Sequence, residues 1–211
     1  MFYSFMRGLV RLIVTLINGR PRFQGRKNLP KGTYILVGPH RTWFDPLYYA
    51  LAGSPMKFSF MAKEELFKNP VLRYILKHAN AFPVDRNHPG PSAIKTPVKF
   101  LRKGSLSLIM FPSGTRHSQE LKGGATVIAK MAGVPLVPTV YQGPLTFKRL
   151  FSRQKVTVRF GEPIYVDRKL KLDDAGQKKI EQQMLAAFDS LDQQIDPDFK
   201  YVDPATQKHA Q

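Results

Sequence analysis

In the segment His40-Arg41-Thr42-Trp43-Phe44-Asp45 an imidazole is followed, at H-x4-D spacing, by a carboxylate. A carboxylate that accepts from one ring nitrogen fixes the tautomer and stabilises the imidazolium, and the other nitrogen can then act as a general base. Neither a serine nor a cysteine nucleophile nor a metal-ligand cluster stands beside the pair. The chemistry that fits is base-assisted attack by a bound hydroxyl. A second segment, Phe111-Pro112-Ser113-Gly114-Thr115-Arg116, directly follows an apolar run. Its glycine lets backbone N–H groups approach an anion closely, and its arginine can grip a phosphate with two N–H groups. Phe82-Pro83-Val84-Asp85-Arg86 ends in another arginine, and Lys63 follows the apolar stretch Phe58–Met61. Each has an ordinary alternative. Asp45 precedes Pro46 and an apolar stretch, as a helix cap does. Asp85 with Arg86 can be a surface ion pair, Lys63 can be simply solvated, and a glycine turn with an arginine is a common loop. The combination points to one phosphate-binding active site: several strand ends deliver cations near one that delivers His–Asp.

The elements that must position these groups can be read from periodicity. Tyr34–Val37, Phe58–Met61, Leu106–Phe111, Leu136–Tyr141 and Val156–Phe160 read as short strands. Helical stretches are expected at Pro46–Leu51, Glu64–Lys77 with a bend near Pro70, Pro91–Lys103 and Gly123–Met131. A last helix is marked by Ile180, Met184, Phe188, Leu191 and Ile195, which step by four and three. Strands alternating with helices predict a single layered α/β domain with a mixed, largely parallel sheet flanked by helices. His40 then falls just beyond the C-terminal end of a buried strand, where open α/β sheets bind ligands. The expected boundaries are a membrane-associating helix and basic flank over residues 1–24, one domain over 25–195, and a loosely held polar tail over 196–211.

Charge narrows the partners. The chain of 211 residues carries a net charge of +18, all of it in the body: residues 1–160 sum to +21 and residues 161–211 to −3. A field of that size implies an anionic partner, whether nucleic acid, membrane or a phosphorylated small molecule. Charge alone motivates the first, and no helix-turn-helix or RNA-binding signature accompanies it. There is no cysteine, which removes disulfides, thiolate catalysis and zinc–thiolate sites. The five histidines lack the paired spacing of metal ligands, so neither metal nor cofactor is expected.

Phe2–Ile17 is strongly apolar, with Ser4, Arg7, Gly8, Arg11, Thr15 and Asn18 forming one polar stripe on a helix. The stretch is short for a membrane span of about 20 apolar residues, and two arginines lie inside it. The positive charge of a secretory signal would precede the apolar stretch. The expectation is a helix lying in the membrane interface with its arginines reaching lipid phosphates. The alternative is a core helix of a soluble domain.

The residues also resemble the glycerolipid acyltransferases, especially the bacterial 1-acyl-sn-glycerol-3-phosphate acyltransferases. His40 and Asp45 match the H-x4-D block, and Phe82–Arg86 is similar to the block ending in a substrate-binding arginine. Phe111–Arg116 resembles F-P-E-G-T-R, and Val134-Pro135-Leu136-Val137-Pro138 resembles V-P-x-V-P. Two positions depart from the pattern: Ser113 stands where the family has glutamate, and Pro39 where it has asparagine. The resemblance implies acyl transfer from acyl-CoA or acyl-carrier protein to the sn-2 hydroxyl of lysophosphatidic acid. His40 would be the base and Asp45 its partner. Arg86, Arg116 and Lys63 would hold the phosphate, with Ser113, Gly114 and Thr115 as further acceptor or oxyanion contacts and Val134–Pro138 shaping the acyl pocket. It further implies an enzyme held peripherally on the cytoplasmic face of the cell membrane. The rivals are an acyltransferase for another lysophospholipid and a lysolipid-binding protein impaired in catalysis by Ser113.

Overall fold

Ile35, Leu36 and Val37 are fully buried, and the rest of the chain is arranged around the strand they form. A strand without a single polar residue must be covered on both faces, the condition of a parallel sheet in an α/β protein. The computed structural model describes residues 2–85, 88–114 and 120–203. It contains a seven-stranded sheet built from β1 (Arg22–Gln24), β2 (Ile35–Val37), β3 (Phe58–Lys63), β4 (Ala81–Val84), β5 (Ser107–Met110), β6 (Leu136–Gln142) and β7 (Thr157–Phe160). The order is β1-β7-β6-β2-β5-β3-β4. β6, β2, β5, β3 and β4 run in one direction, whereas β7 is antiparallel to β6 and carries β1 parallel to itself. The sheet is mixed and largely parallel.

The α-helices are α1 (Phe2–Asn18), α2 (Asp45–Ala52), α3 (Pro70–His78), α4 (Ser92–Arg102), α5 (Gly124–Ala132), α6 (Phe147–Leu150) and α7 (Asp174–Ile195). The connections through α2 and α3 step outward along the sheet, and those through α4 and α5 step back. Right-handed crossovers therefore put α2 and α3 on one face and α4 and α5 on the other. The cores agree. One gathers Val14 of α1 and Tyr48, Tyr49 and Leu51 of α2, with Leu150 of α6 packed against it. The other gathers Val98 and Leu101 of α4, Ile128 of α5 and Ile180, Met184 and Phe188 of α7.

Several elements depart from the sequence reading. The stretch Glu64–Lys77 is a short 3-10 turn, Glu64–Phe67, followed by α3. Asn69 separates them: its side chain accepts from the N–H groups of Val71 and Leu72, and Pro70 occupies the first helical position. β1 and α6 have no apolar periodicity and were not expected. The V-P-x-V-P segment leads straight into β6, between β2 and β7, and Leu136, Val137 and Val140 are fully buried in the two cores. It is a central core strand.

Helix α1 is amphipathic, but it is turned differently from the expectation. Arg7 points inward and donates to the carbonyls of Pro55 and Met56 at 3.1 and 2.8 Å, and Asn18 is buried, donating to Gln154 O at 2.9 Å. Phe5, Leu9, Leu12, Ile13 and Leu16 face outward. So Arg7 is a bracket to the domain, and the face left open is apolar. Among the described residues no helix is long and apolar enough to cross a membrane.

Gly38, between β2 and His40, is confined by packing. A β-carbon there would overlap both the Thr139 carbonyl oxygen and the Tyr49 hydroxyl, which are themselves hydrogen-bonded at 2.8 Å. Gly38→Ala is expected to lower stability by about 1–3 kcal/mol, as overpacking a rigid core does, read from the urea midpoint. An unchanged midpoint would show that the loop relaxes freely.

Candidate active site

Four strands, β2, β5, β3 and β4, end in the same direction and in adjacent register: Val37 beside Met110, Phe60 beside Ile109, Lys63 beside Val84. The segments that carry His40, Lys63, the Phe111 turn and the end of β4 therefore leave the sheet at one edge, whereas Val134–Pro138 enters it at the other. His40 leaves β2, the Phe111 turn leaves β5, and Lys63 closes β3 beside the end of β4. Lys63 is exposed and, with β5 between β3 and β2, stands two strand spacings from β2, roughly 10 Å. Arg86, Thr115 and Arg116 lie outside the described residues.

The carboxylate of Asp45 is completely buried. Its Oδ2 accepts from the backbone N–H groups of Arg41 at 2.6 Å and Thr42 at 2.8 Å, and faces His40 Nδ1 at 3.2 Å. Its Oδ1 accepts from Thr42 Oγ1 at 3.0 Å. Thr42 Oγ1 in turn accepts from the N–H groups of Phe44 and Asp45 at 3.0 and 3.1 Å. Thr42 and Asp45 thus bind each other reciprocally in the turn that precedes α2, whose N-cap position is Phe44. Asp45, the first residue of the helix, is turned back toward His40. Its carboxylate accepts from groups upstream of α2 and from none of the helix's own N–H groups, so the reading of Asp45 as a helix cap is not met.

With Nδ1 engaged by Asp45, Nε2 is the ring nitrogen left to take a proton. The imidazole is stacked on Phe111, with ring centroids 4.2 Å apart and planes 19° apart, and it is held from both sides. Phe111 starts the second segment, so the two motifs meet ring to ring. After it, Gly114 adopts φ +69°, and its N–H donates to Phe111 O at 2.9 Å, which closes the turn. A side chain at this φ would be strained. Ser113 is buried and, with His40, lines a cavity of about 320 Å³ whose walls also include Phe188, Asp189, Asp192 and Tyr201.

The sequence reading missed a residue between His40 and Asp45. Arg41 is buried, donating to both carboxylate oxygens of Asp192 on α7 and to Tyr141 O at 2.9 Å. Gln142 adds a hydrogen bond to Asp192 Oδ1 at 3.0 Å. Burial alone would lower the Arg41 pKa, but the hydrogen-bonded carboxylate outweighs it and the guanidinium is held more firmly charged than usual. Phe199 and Tyr201 lie over that guanidinium, with ring centroids 4.9 and 5.4 Å from it. The start of the C-terminal tail is therefore held down on the site, in contrast to the loose tail expected from its polar, proline-containing composition. Tyr49, packed beneath Gly38, has its hydroxyl pKa pushed well up by burial and then by the Asp45 charge, so it remains a neutral donor to Thr139 O. Lys122, also missed, follows the turn: its N–H donates to Pro112 O at 3.0 Å, and its ammonium lies 4.0 Å from where a Gly114 side chain would begin.

A partly buried imidazole, oriented by a buried carboxylate, stands at the sheet edge beside a glycine turn and a half-open cavity. The sequence matches the acyltransferase family over residues 20–142. The chain belongs to the acyltransferase family. It is 46% identical over 196 residues to the 1-acyl-sn-glycerol-3-phosphate acyltransferase of Streptococcus pneumoniae, spanning 92% of this chain and 74% of that one. It is 41% identical over 166 residues to the enzyme of that name from Bacillus subtilis, spanning 77% and 82%. The fold is shared with the crystal structure of the 1-acyl-sn-glycerophosphate acyltransferase of Thermotoga maritima at a TM-score of 0.68 and 20% identity, over 95% of this chain and 81% of that one.

Removing Arg41 would leave Asp192 buried without its partner. Arg41→Ala in this acyltransferase is expected to cost about 3–5 kcal/mol of stability, measured by urea unfolding. A loss below about 1 kcal/mol would mean that Gln142 alone satisfies Asp192.

Proposed function

We propose that the enzyme transfers an acyl chain from a thioester to the sn-2 hydroxyl of lysophosphatidic acid, giving phosphatidic acid. The observation that carries the reading is the grip of buried Asp45 on His40 Nδ1 beside the cavity, within a chain closely similar to two bacterial enzymes named for this reaction. His40 Nε2 removes the hydroxyl proton as the oxygen attacks the thioester carbonyl. Asp45 holds the tautomer and stabilises the imidazolium. The carbon–sulfur bond breaks, and the imidazolium returns its proton to the departing thiolate. No acyl-enzyme forms, in keeping with a chain that has no cysteine.

The acceptor phosphate is assigned to the cations that share the edge: Arg86, Arg116 and Lys63, with Lys122 at the turn. They hold the acceptor so that its hydroxyl meets Nε2, an effect of proximity. In the cavity wall Asp192 is paired with Arg41, so that guanidinium is already engaged and Asp189 is the remaining acid, which leaves the space to uncharged parts of the substrates. Ser113 and Thr115 are assigned to the acceptor glycerol. The N–H groups of Arg41, Thr42 and Gly114 are taken up by Asp45 and Phe111, so the oxyanion must be met by other donors of the Phe111 turn. Acyl-CoA and acyl-carrier protein are both acidic and suit a basic body. The outward apolar face of α1 supports residence on the membrane surface, on the cytoplasmic face.

His40→Ala is expected to reduce acyl transfer by at least about 100-fold with an unchanged melting temperature, followed as thiol release with lysophosphatidic acid. Turnover near that of the parent protein would refute the assignment. Arg116→Ala is expected chiefly to raise KM for lysophosphatidic acid, and an unaltered dependence on acceptor would place the phosphate elsewhere. A panel of lysolipids with either thioester, read by mass spectrometry, separates this acceptor from its relatives.

A further inference from the structure

The two faces of the sheet differ in what they show to solvent. Helices α4, α5 and α7 leave only Met131 and Leu185 as exposed large apolar side chains among the described residues. On the opposite face α1 exposes Phe5, Leu9 and Leu16, and α3 exposes Val71, Leu72 and Tyr74. Phe2 of α1 meets Tyr74 of α3 edge to ring, with centroids 6.1 Å apart. Such a surface is large for a protein that stays in water.

Three further aromatics extend it to the active-site loop. Trp43, between His40 and Asp45, is 69% exposed, and Phe147 and Phe151, one helical turn apart at α6, are 63% and 68% exposed. The Phe147 ring packs edge to face on Phe44, the next residue after Trp43, at 5.7 Å. Asn18, the last residue of α1, holds the α6 segment by its hydrogen bond to Gln154 O. The α6 segment also carries exposed Lys148, Arg149, Arg153 and Lys155, and no acidic residue occurs between Glu120 and Glu162.

We propose that residues 147–155, together with Trp43, form a second docking element beside α1 that seats the His40 side of the enzyme on an anionic phospholipid bilayer. Cations on a rim and bulky aromatics between them suit the headgroup level of a membrane, where amphipathic rings settle and each lysine or arginine near the surface adds to binding. An acidic carrier protein would be met by the cations, but it does not require three aromatics in line with the apolar face of α1. The seat brings the His40 loop, through Trp43, to the surface where a lipid acceptor arrives by lateral diffusion. This step rests on the lipid-acceptor reading above.

Trp43 is the one tryptophan of the chain, so its fluorescence reports the contact directly. The full chain is mixed, without substrates, with vesicles of phosphatidylglycerol and phosphatidylcholine. The emission is expected to shift to the blue and to be quenched by brominated acyl chains, in proportion to the anionic fraction. The double variant Lys148→Glu, Arg149→Glu is expected to bind vesicles at least about 25-fold more weakly, at about fivefold for each cation lost. Phe151→Ser is expected to weaken the quenching while leaving turnover of a short-chain, water-soluble lysophosphatidic acid unchanged. The proposal fails if the protein sediments with vesicles while Trp43 is unshifted and as open to iodide as in buffer. It also fails if the charge variants bind vesicles normally but lose transfer from acyl-carrier protein, which would make the carrier the occupant. Absence of vesicle binding overturns this surface and the α1 anchor together. Because the vesicle experiment contains no acyl donor, its result is independent of whether lysophosphatidic acid is the acceptor, which the short-chain assay answers by itself.

Discussion

The burial of one carboxylate organises the site. Asp45 has no contact with water, so its oxygens must find donors within the protein, and they find them in the loop that carries the base. Two backbone N–H groups and a threonine hydroxyl fix the carboxylate, and the imidazole faces the oxygen that receives both N–H groups. The loop from β2 to α2 cannot change shape without leaving a buried polar group unsatisfied. That constraint, not the intrinsic conformation of the loop, aims His40. Asp45 is also the first residue of α2, so the loop that aims His40 runs directly into that helix.

A second buried pair fastens this loop to a distant part of the chain. Arg41 takes its partner from α7, and the aromatic rings of Phe199 and Tyr201 cover it. Buried ion pairs add little net stability over apolar replacements, yet leaving one partner alone is costly. The pair therefore enforces a particular arrangement: the end of α7, the β6 edge at Tyr141 and Gln142, and the His40 loop are locked together. The cavity beside His40 exists because these three parts are held apart at fixed positions. The cavity and the strand ends that carry Lys63 and the Phe111 turn lie along the same edge of the sheet.

How much of this could be read in the sequence follows from the range of the interactions involved. The strands with uninterrupted apolar residues, such as Ile35–Val37 and the start of β6 at Leu136–Pro138, and the heptad-like face of α7 announce themselves because burial is a property of each residue. His40, Asp45 and the Phe111 turn were legible because their chemistry is local. β1 is only three residues long and has a mixed pattern, and α6 is four residues long with two of them basic. Neither leaves a periodic trace. Arg41 read as one basic residue among many, since its partner Asp192 is far off in sequence. The burial that turns an arginine into a structural clamp is set by the fold. The orientation of α1 was misread for a similar reason: its polar stripe named the right residues, but carbonyls at Pro55 and Met56 draw Arg7 inward.

The central claim is that Asp45 holds His40 with Nδ1 as donor and Nε2 open as the base. Long-range proton–nitrogen NMR of the His40 ring, in protein labelled with nitrogen-15, reports which nitrogen carries the proton in the neutral imidazole. The expected spectrum has a protonated Nδ1 and a bare Nε2, and Asp45→Asn shifts that balance. A His40 ring protonated at Nε2, or a spectrum indifferent to Asp45→Asn, would contradict it.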